Sequence, residues 1–144
     1  MSLSPRKLQR GATDIAIGIH PGNVVRIAGV FRETGDEPWL YNLLAEIHQE
    51  AQNQQLEEVV LDLRHLSYAN ADAWRNLVLL MRLIKGPPRA TYRLRMQTNL
   101  AHQWQRVGIP TLSAFGGSML SIEATNYLSA DSDSSDKGKR SWKV

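Results

Sequence analysis

The chain has 144 residues, 42% hydrophobic and 22% charged, with no cysteine, which fits one domain with a modest core and excludes a disulfide framework or a thiolate metal site. No run approaches the roughly 18 to 20 apolar residues that span a bilayer. The isoelectric point near 9.4 comes from the ends: residues 1–10 carry +3 through Arg6, Lys7 and Arg10, residues 129–144 carry +1, and residues 11–128 carry −1.

That distribution argues against a nucleic-acid interface, which needs a concentrated basic face on a folded element. The internal trio Arg89, Arg93 and Arg95 is small and has only Tyr92 interleaved. Residues 1–12 read as a flexible, basic N-terminal segment, and the alternating "ATDIAIGIH" after it lacks the continuous apolar core of an export signal. With no cysteine, a cytoplasmic protein is the expectation.

Ile15, Ile17 and Ile19 alternate with Ala16 and Gly18, the period of a half-buried strand over 14–19. "HPGN" at 20–23 supplies turn residues and "VVRIAGVF" follows, so an antiparallel hairpin is predicted, with Gly29 marking a bulge. From Pro38 the period becomes helical, with Leu40, Leu43, Leu44, Ile47 and Ala51 on one face. "EEVVLDL" lacks alternation and reads as a central strand whose one ionisable interior residue is Asp62.

Residues 71–85 form a second predicted helix, stopped by "GPP" at 86–88. Trp74, Leu77, Val78, Met81 and Ile84 converge on its core side, while Asp72, Asn76, Leu79 and Leu83 fall opposite. A solvated face should carry charges there, so these four residues are the expected partner-binding surface. "TYRLRM" alternates Tyr92, Leu94 and Met96 against Thr91, Arg93 and Arg95 as a strand with one open face. A short third helix through Leu100, Trp104 and Val107 is predicted to end at a Gly108 cap before Pro110, with "TLSAF" as the last strand. Residues 13–128 make the domain, and the polar stretch 129–144 reads as a disordered tail.

Little in the chain points to catalysis. There is no G-x-S-x-G, P-loop or G-x-G-x-x-G. The histidines His20, His48, His65 and His102 are scattered without an i, i+4 pair, so no metal or other cofactor is expected. Asp62 and Arg64 can share a strand side in a structural role, with His65 pointing elsewhere. Trp39, Trp74 and Trp104 sit beside apolar neighbours as core-rim residues, and Trp142 in the tail is a candidate partner anchor.

The segment "VVLDLRHLSYANADAWRNLVLL" resembles the signature of STAS domains, the anti-sigma-factor antagonist family, in which a strand ending Asp-Leu leads through an apolar-Ser-aromatic stretch to Asp-Ser-Ser-Gly and a helix. "LAHQWQRVGIPTLSAF" is similar to the third helix and final strand of that family, and the resemblance covers roughly residues 14–116. It implies an α/β, STAS-like fold with a mixed central sheet of about four to five strands, an opening antiparallel hairpin, and helices mainly on one face. It also implies a non-enzymatic signalling module whose protein partner is an ATPase-type serine kinase, anti-sigma factor or phosphatase; a homodimer is compatible with it.

In that family the first Ser of the tetrapeptide is phosphorylated by its partner kinase. Here Asn70 replaces the Asp, Ala71 the phosphorylated Ser, Asp72 the second Ser and Ala73 the Gly, so the switch cannot operate at that position. The residues still make sense as a helix start: Asn70 is a favoured N-cap, and Asp72 puts a negative charge in the first turn. Alternative readings are a small-ligand or nucleotide sensor of this fold, and a regulator phosphorylated instead at Ser67 or Tyr68, in the loop expected before the helix.

Overall fold

The computed structural model describes residues 2–32, 39–126 and 142–143. In chain order it has β1 (Arg6–Arg10), β2 (Thr13–Ile17), β3 (Val24–Phe31), α1 (Trp39–Asn53), β4 (Glu58–Asp62), β5 (Leu66–Ala69), α2 (Ala71–Lys85), β6 (Arg93–Asn99), α3 (Gln103–Gly116), β7 (Leu120–Thr125) and β8 (Trp142–Lys143). One mixed sheet runs β1-β2-β3-β4-β6-β7-β8, with β5 beside β3. β1, β2 and β3 are antiparallel neighbours; β3, β4, β6 and β7 are parallel. The sheet is therefore larger than the four to five strands expected.

Each crossover between parallel strands steps the same way across the sheet, and right-handed crossovers that do so leave their helices on one face. α2 lies in the middle, packed against α1 on one flank and α3 on the other. The helix-facing side chains form the core: Ile15 and Ile17 from β2, Val25 and Ile27 from β3, Leu61 from β4, Leu94 and Met96 from β6, and Ile122 from β7. α1 buries Leu40, Leu43, Leu44, Ile47 and Ala51, the stripe its spacing predicts. The other sheet face is polar, with Arg95 paired to Glu58 and Glu123. Trp39, Trp74 and Trp104 are partly buried against the core.

The β2–β3 hairpin forms as predicted. Gly29 sits at φ +96°, where the β3–β5 register shifts, and a Cβ there would collide with the Ala12 carbonyl oxygen. Three other expectations are corrected. Residues 2–12 of the N-terminal segment are folded, because Leu3 is buried, its amide donates to Asn23 Oδ1 at 3.1 Å, and Ser4 N and Arg6 are held by Glu50. Residues 66–69 form β5 rather than a loop.

The third correction is α3, which does not end at Gly108. It runs through Pro110 and "TLSAF" to Gly116, and the final long strand is "LSIEAT". Gly108 is a site of close helix approach: a Cβ there would lie 2.7 Å from Trp74 Nε1. Pro110 is exposed, so its missing amide costs one helical hydrogen bond, while Ile109, Leu112 and Gly116 are buried on the opposite side and hold the helix in place. Of the tail 129–144, Trp142 and Lys143 pair antiparallel with Ala124 and Glu123; its remaining residues lie outside those described, as does Pro38.

Two substitutions test this packing. Gly108→Ala gains about 1 kcal/mol of helix propensity but overpacks the Trp74 ring at a cost of roughly 1 to 3 kcal/mol, so thermal melts should show net destabilisation. Leu77→Ala, at 2% exposure, should lose about 2 to 5 kcal/mol. A more stable Gly108→Ala protein would contradict the α2–α3 contact.

Candidate functional site

The joint between β5 and α2 is built by local sequence and fixed by distant residues. Asn70 N donates to Phe31 O at 3.1 Å, which aligns the end of β5 with the end of β3. Asn70 takes an extended conformation, and its side chain accepts from Ala73 N at 3.1 Å, the N-cap its sequence position predicts. Ala71 is exposed, while Ala73 is buried against the core. Asp72 stays half-exposed and pairs with Arg75 at 3.0 Å, a surface ion pair of little energetic weight. Next to the joint, Ser67 Oγ donates to Gly29 O and Tyr68 is exposed beneath the Arg32 guanidinium.

The connection from β4 to β5 is pinned on both sides. On the helix side, Gln105 is fully buried; its Nε2 donates to Leu63 O at 2.6 Å and Leu66 O at 3.1 Å, and its Oε1 accepts from Asn99 N at 2.8 Å. Trp104 Nε1 also donates to Leu66 O at 2.7 Å, and His102 Nε2 donates to Arg64 O at 3.0 Å. The sequence reading missed this clamp. Its only linear trace is a Gln on the buried side of a helix that otherwise buries apolar residues.

On the other sheet face, Asp62 is completely buried yet ionised. It accepts from Arg26 Nε at 2.9 Å, from Arg64 Nε at 2.9 Å and Nη2 at 3.0 Å, and from the Arg64 amide at 3.1 Å. Burial alone would raise its pKa; the hydrogen bonds and charge of Arg64, joined by the charge of Arg26, outweigh that and hold it below the usual carboxylate value. Asp62 and Arg64 thus meet as expected, and Arg26 is the partner that only the β3–β4 register reveals. His65 is half-buried, and desolvation lowers its pKa.

The expected partner face on α2 divides. Asn76 is buried, and Leu83 is half-buried in a hollow it shares with His48, Gln49 and Gln52 of α1. Leu79 is half-buried, and at about 100° per residue it lies opposite the core side, between Arg75 and Arg82. The correction has a simple cause: a helix flanked on both sides exposes a narrow ridge rather than half its surface. That ridge is Ala71, Asp72, Arg75, Leu79 and Arg82.

No protein-family model, curated protein or solved structure matches the chain. Among the described residues no group of three or more His, Cys, Asp or Glu is placed to hold a metal ion, and no helix is long and apolar enough to cross a membrane.

The Asp62 cluster makes a pH prediction. Its folded pKa is depressed, so its contribution to stability is complete above the unfolded value near 4 and is lost as pH falls through the folded value. Asp62→Asn should cost about 3 kcal/mol at pH 7 by leaving two arginines without their counter-charge. In urea melts, the gap between wild type and variant should close below about pH 4. A gap that is constant down to pH 2 would contradict the ionised assignment.

Proposed function

We propose that this chain is a non-enzymatic, STAS-like regulatory module that binds a protein partner through the start of α2, with an ATPase-type serine kinase, anti-sigma factor or associated phosphatase as the partner class. The observation that carries the reading is the joint itself. A strand parallel to β3 delivers an N-capped helix whose first residue, Ala71, is exposed where the resembled family carries its phosphorylated serine. The opening antiparallel hairpin and the one-sided helical layer are the architecture that the resemblance implies.

At that joint the helix N-terminus offers a positive end that favours anionic groups. Asp72 occupies the neighbouring position with a permanent carboxylate, so the surface presents a fixed charge in place of a reversible one. The ridge continues through Arg75, Leu79 and Arg82, one apolar side chain between two cations, the composition of a protein contact rather than of a catalytic cleft. Asn76 and Leu83 support the ridge from the α1 side instead of meeting the partner.

Incubation with the cognate ATPase-fold serine kinase and ATP, followed by mass spectrometry, should detect no phosphate within residues 70–73, and Ala71→Ser should acquire one. Leu79→Glu should shift stability by less than about 1 kcal/mol yet weaken partner capture about tenfold or more. Stoichiometric phosphate on Ser67 or Tyr68 would move the switch to β5, just before α2. An Ala71→Ser protein that binds the kinase tightly but is never modified would overturn the assignment of the joint.

A further inference from the structure

Between α1 and the end of α2 lies a hollow of about 430 Å³, lined by His48 and Gln52 of α1, by Arg82 and Leu83 of α2, and by Pro87 and Pro88 just beyond. Three of these side chains are left with hydrogen-bond donors for a ligand, and the other three are apolar.

The hydrogen bonds around the hollow establish the donors. Tyr92 is 2% exposed, and its hydroxyl has one partner among the described residues, His48 Nδ1 at 2.7 Å. A buried O–H needs an acceptor, and burial raises the Tyr92 pKa so that the phenol keeps its proton. His48 Nδ1 is therefore the acceptor. Burial also lowers the His48 pKa, so at neutral pH the ring holds one proton, on Nε2. Gln52 is fixed in the same way: its Oε1 accepts from Thr91 N at 2.6 Å and Thr91 Oγ1 at 3.0 Å, which leaves Nε2 to donate. The Arg82 guanidinium has no hydrogen-bond or ion-pair partner among the described residues.

None of the described residues lining the hollow is acidic. The carboxylates of α1 serve its other flank, where Glu46 lies near Trp39 and Glu50 holds Ser4 N and Arg6. The negative ends of the two helices are also muted. After α1 the amides of Gln54, Leu56 and Gln55 donate to Glu50 O, Ala51 O and Gln52 O, and after α2 those of Gly86 and Ala90 donate to Arg82 O and Ile84 O. One full positive charge thus dominates the hollow.

We propose that this hollow binds a small organic carboxylate with an apolar body. The planar fork of Arg82 matches the two oxygens of a carboxylate, and one cation balances one negative charge, whereas a phosphate dianion would keep an uncompensated charge. Gln52 Nε2 and His48 Nε2 supply the remaining donors. Leu83, Pro87 and Pro88 form the wall against which the apolar part packs, so a few polar groups orient a ligand held mainly by apolar surface. Arg82 also stands at the end of the α2 ridge. Gln52→Glu is therefore the deciding variant, because it keeps the acceptor for Thr91 and turns the free donor into a negative oxygen.

The test uses the full chain and three acids, phenylacetate, hexanoate and indole-3-acetate, followed by NMR amide shifts. At least one should bind saturably at millimolar concentration or below, with shifts concentrated in residues 48–53 and 82–91. Gln52→Glu and Arg82→Gln, each folded by circular dichroism, should weaken that binding about tenfold or more. The proposal is overturned if none of the three acids gives a saturable shift by about 10 mM, if the shifts map elsewhere, or if Gln52→Glu binds unchanged. It is overturned too if the amide or amine analogue of the bound acid binds as tightly as the acid. Acetate or inorganic phosphate binding equally well would make the hollow a plain anion site and remove the apolar body from the ligand.

Discussion

The side-chain amide of Gln105, with the Trp104 indole beside it, holds the β4–β5 connection and the start of α2 in place. The β4–β5 connection leaves the sheet and returns within a few residues, and such a turn strands backbone carbonyls in the interior. Leu63 O accepts from the Leu66 amide and from Gln105 Nε2, Leu66 O accepts from Trp104 Nε1 and from Gln105 Nε2, and Gln105 Oε1 takes the Asn99 amide at the end of β6. Two side chains of α3, Gln105 and Trp104, thus tie the start of β5 to that helix. β5 in turn decides where α2 begins. The geometry of the Asn70 cap, 35 residues before Gln105, is thus set by α3.

Asp62 acts on the same connection from the opposite face. Its carboxylate ties Arg26 of β3 to Arg64 just beyond β4, so the loop is gripped by a charged cluster outside and a neutral amide inside. The two devices differ in their response to the surroundings. The amide clamp is indifferent to pH and salt, whereas the charged cluster depends on an ionised carboxylate.

The parts of the structure legible in the sequence were those whose burial is decided by a single neighbour. α1 meets the sheet with one stripe, and its five buried positions follow directly from helical spacing. β2 alternates throughout, β6 does so from Arg93 to Thr98, and Gly29 announces its bulge. β1 was hidden because an edge strand buries little, and "RKLQR" has no apolar alternation to read. β5 was hidden because four residues, with Ser67 and Tyr68 outward, look like a loop. In α3, Gly108 and Pro110 carry the local signature of a helix end, and packing overrides it: Gly108 admits Trp74, while Leu112 and Gly116 extend the buried side. At the candidate site, the cap was legible because capping is local. The division of Asp72, Asn76, Leu79 and Leu83 was not, because it depends on a second flanking helix.

The placement of charge follows from the sheet having two ends. The chain is almost neutral between residues 11 and 128, and its excess positive charge lies in the terminal segments. Arg6, Lys7 and Arg10 fall in β1 at one edge, and Lys143 falls in β8 at the other. Open edges invite pairing with further copies, and lysine and arginine along them oppose that by repulsion. An isoelectric point that suggests nucleic acid when averaged over the chain becomes, once placed in the fold, charge set along the sheet's open edges, where it opposes pairing with a further copy.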